Sequence, residues 1–128
     1  SIPASLSSKP PTSSTSSLAS LSAPNISGLQ LIIETNFQVV AYCTSELHFE
    51  MLRLFIDHRD MIRLPNMTLG QITRDSIKRA LKIGITAQQI IDFMLIHSHP
   101  RVLNRNPIIP ENVTDQIKLW EFERYRIK

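Results

Sequence analysis

His97 and His99 stand one residue apart, and with His58 and Cys43 they are the side chains whose types suit a metal ion. Zinc sites are signalled by paired spacings such as C-x2-C or H-x3-H, which put two ligands on one turn or loop. Neither spacing occurs among these four residues. Histidines at the end of a helix are favoured by the helix dipole alone, so His97 and His99 read as helix-end residues and no metal is expected. Cys43 lies in an apolar run, where a buried thiol is expected to be inert. Only 3 glycines occur, none in a phosphate-cradling loop, and there is neither a G-x-S-x-G turn nor a pair of carboxylates in apolar surroundings. The chain is therefore expected to be no enzyme, with no catalytic residue, cofactor, metal or small-molecule substrate.

Nucleic-acid chemistry has a stronger claim. Arg74, Lys78, Arg79 and Lys82 cluster in one stretch, and Thr86, Gln88 and Gln89 follow as hydrogen-bonding groups. The elements that would position them can be read locally. Thr73 predicts an N-cap, with Asp75 in the first turn where the dipole favours a carboxylate. Ile77, Ala80, Leu81 and Ile83 recur at helical spacing, and Gly84 fits the left-handed position that closes a helix. Thr86 to Gln89 forms a capping box, flanked by Ile85 and Ile90 as a hydrophobic staple. The second helix carries Ile90, Ile91, Met94 and Leu95 and stops before Pro100.

A helix-turn-helix over Thr73 to Ser98 results, and a DNA-binding module is the alternative reading of function. Its charges oppose that reading. A recognition helix needs donors to phosphates and bases near its own start, yet the second helix carries Asp92 and no Lys or Arg, while the cations sit on the first. The pair is accordingly expected to pack rather than to read bases.

The rest of the chain is organised around this pair. Residues 1–28 are rich in Ser, Thr and Pro with no acidic or aromatic residue, a composition that cannot offset the entropy of ordering, and they read as a disordered linker. Order is expected from Leu29 as one α+β domain over 29–128. Leu31 to Ile33 and Gln38 to Cys43 are β-rich runs around a polar tip and predict a hairpin. Phe37 at that tip either folds back onto the domain or is displayed for a partner. Thr44 or Ser45 caps a helix running to about His58, with Leu47, Met51, Leu54 and Phe55 on one face.

Arg59 to Asn66 reads as a connector and Met67 to Ile72 as a short third strand. After the helix pair, a Pro-limited loop leads into a final helix from Glu111 to Arg126, with Val113, Ile117, Trp120 and Arg124 on one side. It meets the chain end without a stop signal, so the element is expected to continue in a longer parent protein. The fold class is thus α+β: a hairpin and a third strand packed on one helix and a helix-turn-helix pair, then a C-terminal helix.

Composition narrows the class without naming a function. At 128 residues, 42% hydrophobic and 20% charged, the chain suits one globular domain. Residues 29–128 hold 13 Lys and Arg against 11 Asp and Glu, so the pI near 9.4 reflects a small surplus and argues little for a polyanion. A single cysteine suits a reducing compartment. No apolar run approaches the roughly 20 residues that span a bilayer, no signal peptide is evident, and no membrane association is expected.

The runs IIETNFQVVAY, LPNMTLGQITRDSIKRAL, GITAQQII, HSHP and VTDQIKLWEFER resemble the family of the 52-kDa core subunit of the general transcription and DNA-repair factor TFIIH. The resemblance covers about residues 29 to 128. It implies a non-enzymatic scaffold in the nucleus that anchors the XPB helicase and translocase subunit, supports its ATPase, and acts in transcription initiation by RNA polymerase II and in nucleotide excision repair. Other TFIIH core subunits are implied as partners, with DNA met only indirectly through the complex. The resemblance places the XPB contact on Ile33, Glu34, Thr35, Asn36, Phe37 and Gln38. Family members continue into a domain that binds the smallest TFIIH subunit, and residues 29–128 are not expected to supply that activity.

Overall fold

The computed structural model describes residues 28–43 and 45–126. Residues 1–27, read above as a linker, lie outside them, as does Thr44.

Strands β1 (Gln30–Ile33) and β2 (Gln38–Tyr42) form the expected hairpin, paired antiparallel from Gln30 opposite Tyr42 to Ile33 opposite Val39. Two further strands, β3 (Asp57–Arg63) and β4 (Met67–Gln71), complete an antiparallel sheet in the order β1-β2-β4-β3. The third strand expected from Met67 is thus the central β4, paired with β2 along Gln38 to Tyr42. Strand side chains alternate between faces. Leu31, Ile33, Val39 and Ala41 are buried, and they share one core with Met51, Leu52, Ile77, Ala80, Leu81, Ile90, Phe93, Met94, Val113 and Ile117 from the helices. Val40, Tyr42, Leu69 and Gln71 alternate with the buried set and stay half-exposed.

Helix α1 is shorter than its pattern predicts. It spans Glu46–Leu52, capped by Ser45, whose hydroxyl accepts from the His48 amide at 3.3 Å. The expected extension to His58 is overturned: the chain turns after Leu52, with the Leu54 amide on Met51 O and the Phe55 amide on Leu52 O, and β3 takes the place of the end of the expected helix and of the connector expected from Arg59. Phe55 and Ile56 continue the apolar run because they are buried in the turn, at 0% and 1% exposure. Burial, not helical periodicity, sets their type. β3 escapes a pattern search because the six residues from Asp57 to Ile62 lie against the three from Gln71 to Leu69. A bulge of that size destroys the period-two alternation.

The helix pair forms as its local signals predict. α2 (Arg74–Lys82) and α3 (Ala87–Ile96) each begin in a capping box, Thr73 with Ser76 and Thr86 with Gln89. Gly84 adopts φ +103°, and the Gly84 and Ile85 amides donate to the carbonyls of Leu81 and Ala80 at 3.1 and 3.0 Å, the paired bonds that close a helix at a left-handed residue. Ile85 and Ile90 of the staple are both buried. Pro100–Val102 forms a single 3-10 turn, and α4 (Glu111–Arg126) buries Val113 and Ile117 while Trp120 is half-covered.

Gly70 lets β4 lie under the α1–β3 turn. A Cβ there would sit 2.5 Å from Ile56 Cγ2, closer than carbon atoms approach. Gly70→Ala is expected to cost about 1–3 kcal/mol by overpacking, read as a lower urea midpoint at unchanged slope.

Candidate functional site

The tip between β1 and β2 is fixed by its own backbone and by two other elements. The Glu34 amide donates to Gln38 O at 2.9 Å and the Phe37 amide to Glu34 O at 3.0 Å, a tight turn followed by one left-handed residue. That residue is Phe37, at φ +71°. A left-handed conformation costs a residue with a Cβ roughly 1–2 kcal/mol, and glycine or asparagine is the ordinary occupant. Its ring is tilted against Trp120 of α4, centroids 6.2 Å apart, and packs on the core. Of the two orientations left open by the sequence, the ring takes the folded-back one.

Side chains brace the same turn. Asn36 Oδ1 accepts from the Gln38 amide at 3.1 Å, and its carbonyl accepts from Gln71 Nε2 at 2.7 Å. Thr35 O accepts from Asn112 Nδ2 at 2.8 Å, and Phe37 O from the Ile72 amide at 2.9 Å. Ile33 is buried in the core, Glu34, Phe37 and Gln38 are half-exposed, and Thr35 and Asn36 are exposed. Glu34 makes no ion pair among the described residues. The outward surface therefore consists of a carboxylate, a hydroxyl and an amide on a rigid turn. Asn112, Gln71 and Trp120, which support it, carry no signal in the sequence, since their contacts reach across 35 to 83 positions.

The outer edge of β1 is partly covered. Leu31 receives and donates backbone bonds with the segment His97–His99: its amide donates to His97 O at 2.7 Å, and its carbonyl accepts from the His99 amide at 2.8 Å. Pairing alternates along a strand, so the next outward backbone groups belong to Ile33, beside the tip.

The metal-type residues have separate local partners. His97 is buried with Nδ1 3.0 Å from Phe93 O, and that burial pushes its pKa down. His99 Nδ1 accepts from the Arg101 amide and its ring lies on Tyr42. Cys43 Sγ is 3.5 Å from Thr68 Oγ1, and His58 is exposed on β3. Among the described residues no three His, Cys, Asp or Glu side chains gather as a ligand set.

Helix α3 points its chemistry inward. Ala87, Ile90, Ile91, Phe93 and Met94 are buried, Gln88 is bonded to Asp92 at 2.8 Å, and Gln89 caps its own helix. The Ala87 amide donates to Glu121 of α4 at 3.0 Å, so a carboxylate already occupies the helix start where a phosphate would bind.

Comparison with known proteins adds the family. The sequence model of the family described as Transcription factor Tfb2 matches residues 5–100, three quarters of the chain. The chain belongs to the Tfb2 family. Its matched range begins inside the Ser/Pro-rich segment and ends at the start of the 3-10 turn. Among Tfb2-family relatives, it is 50% identical over 98 residues to the general transcription and DNA repair factor IIH subunit TFB2 of Arabidopsis thaliana, covering 77% of this chain and 21% of that protein. The Yarrowia lipolytica subunit of the same description is 46% identical over 98 residues, again 77% of this chain and 21% of that protein. General transcription factor IIH subunit 4 of Dictyostelium discoideum is 48% identical over 97 residues, 76% and 20% respectively. The chain thus spans about a fifth of the length of these curated relatives, whose names describe subunits of a transcription and repair factor and no catalytic activity.

Proposed function

We propose that this Tfb2-family chain is a non-catalytic scaffold module of TFIIH that anchors the XPB subunit through Ile33 to Gln38 and supports its ATPase. It would serve transcription initiation by RNA polymerase II and nucleotide excision repair in the nucleus, meeting other core subunits in the complex. Residues 29–128 form the proposed anchoring domain. The observation that carries this reading is the braced tip. Gln71, Asn112 and Trp120 hold it in one shape, so a partner that docks there orders little on binding. The Glu34 carboxylate supplies a polar handle, with the exposed Thr35 and Asn36 beside it.

Replacing Glu34 reverses that handle without touching the core. Glu34→Lys is expected to weaken retention of an XPB N-terminal fragment by at least about tenfold, as for loss and reversal of an interface charge, with circular dichroism and thermal midpoint unchanged. Equal retention of XPB by wild type and Glu34→Lys would exclude the tip as the anchor. Phe37→Ala loses the ring that seats the tip on Trp120, so it should lower both retention and thermal midpoint.

A further inference from the structure

The charge of this domain is concentrated in one place. Residues 28–126 contain 12 Lys and Arg against 11 Asp and Glu, nearly balanced. Five of those cations, Arg74, Lys78, Arg79, Lys82 and Arg124, line two adjoining hollows of about 180 and about 410 Å³ between α2 and α4, accompanied by only Asp75 and Glu123. The rest of residues 28–126 holds seven cations against nine carboxylates, so the groove is a positive patch on an otherwise slightly acidic domain.

Its two carboxylates are already engaged, Glu123 with Arg74 at 3.8 Å and Asp75 with Arg59 at 3.5 Å. Arg79 donates to the carbonyls of Arg53 and Ile56 at 3.3 Å each. Lys78, Lys82 and Arg124 form no ion pair among the described residues. Arg74, Lys78 and Lys82 follow at four-residue intervals on α2, one turn of about 5.4 Å apart, and Arg124 faces them from α4.

Every side chain lining both hollows is charged. A protein ligand takes most of its affinity from a few apolar or aromatic anchors seated in pockets, and here the apolar surface is only the aliphatic stems of Lys and Arg side chains, with no apolar or aromatic residue lining a pocket for one. A phosphodiester chain brings regularly spaced anions and needs no such pocket. We propose that the α2–α4 groove is a nucleic-acid backbone site, in which Arg74, Lys78, Lys82 and Arg124 hold successive phosphates without reading bases. The site lies on the first helix of the pair and on α4, away from the α3 start that Glu121 occupies. It is independent of the XPB reading and involves none of the tip residues.

The test is fluorescence anisotropy of the 128-residue chain with a labelled single strand of about 20 nucleotides and with its duplex, at about 50 and about 200 mM salt. Micromolar binding is expected at the lower salt, weakening about 150-fold at the higher for four phosphate contacts on a duplex and less on a single strand. The double variant Lys78→Glu/Lys82→Glu should bind at least about tenfold more weakly with a flatter salt dependence, and Arg101→Glu/Arg105→Glu, on the loop after α3, should bind as wild type. All three proteins should melt alike, since the altered side chains are exposed. The preferred form of nucleic acid is whichever probe binds tighter. The proposal is overturned if the Lys78/Lys82 variant binds DNA as wild type does. It is equally overturned if neither probe binds while an acidic peptide binds the wild type and not that variant.

Discussion

Phe93→Ala is expected to remove about 3–5 kcal/mol of unfolding free energy, a large share of the margin of a domain whose total stability is on the order of 5–15 kcal/mol. Phe93 is fully buried on α3. Its ring meets Phe55 edge-on with centroids 5.7 Å apart and lies 4.3 Å from the His97 ring. Removing the ring takes away apolar burial and two aromatic contacts, and it leaves a void between α3 and the α1–β3 turn that close-packed neighbours refill only in part. Urea denaturation followed by circular dichroism should show a lower midpoint at unchanged slope. A wild-type midpoint would mean that α3 is not the centre of the core and would reopen a solvent-facing role for it.

The second large effect is expected at Asp57, whose side chain is 1% exposed while its partner Arg59 is 66% exposed. Asp57 accepts from Arg59 Nε and from Arg59 Nη2 at 3.0 and 2.7 Å, from the Arg59 amide at 3.0 Å, and from the Thr73 hydroxyl at 3.0 Å. One carboxylate therefore fixes the β3 bulge and ties it to the N-cap of α2. The Arg59 guanidinium holds its pKa well below the usual carboxylate range, against the opposing effect of burial, with the Arg59 amide and the Thr73 hydroxyl adding to the fall.

Asp57→Ala removes these charge-assisted bonds and should cost about 3 kcal/mol at neutral pH. The sign of the pH dependence follows from the depressed native pKa. The ionised group stabilises the fold fully above the unfolded value of about 3.9, and the contribution is lost as pH falls from there through the native pKa. The gap between wild type and Asp57→Ala should thus be full at pH 7 and shrink below about pH 4. A gap that stays constant down to acid pH would show that the ionised carboxylate is not what holds the bulge.

The candidate tip was legible as a hairpin but not as a braced one. Gln38 to Tyr42 and Leu31 to Ile33 announce strands by residue type. Whether Phe37 turns inward depends on Trp120, 83 positions later, and the covering of β1 by His97–His99 depends on a backbone pairing that no side chain encodes. Asp57 reads in the sequence as one more polar residue near the end of the first helix. Its burial exists only because β3, β4 and the start of α2 converge on it.

What the sequence determined by itself is what residues within a few positions of each other decide. The caps at Thr73 and Thr86, the left-handed stop at Gly84 and the buried stripes of α2 and α4 follow from local hydrogen bonding and helical spacing. The opposition of charge and chemistry on α2 and α3 was visible for the same reason. The tertiary structure alone decided that α1 stops at Leu52, that a bulged fourth strand follows it, that Asp57 is the buried tie, and that Arg124 comes to stand across from the cations of α2. Each of these rests on groups far apart in sequence, whose meeting is fixed by how the sheet and helices close on one core rather than by any local preference.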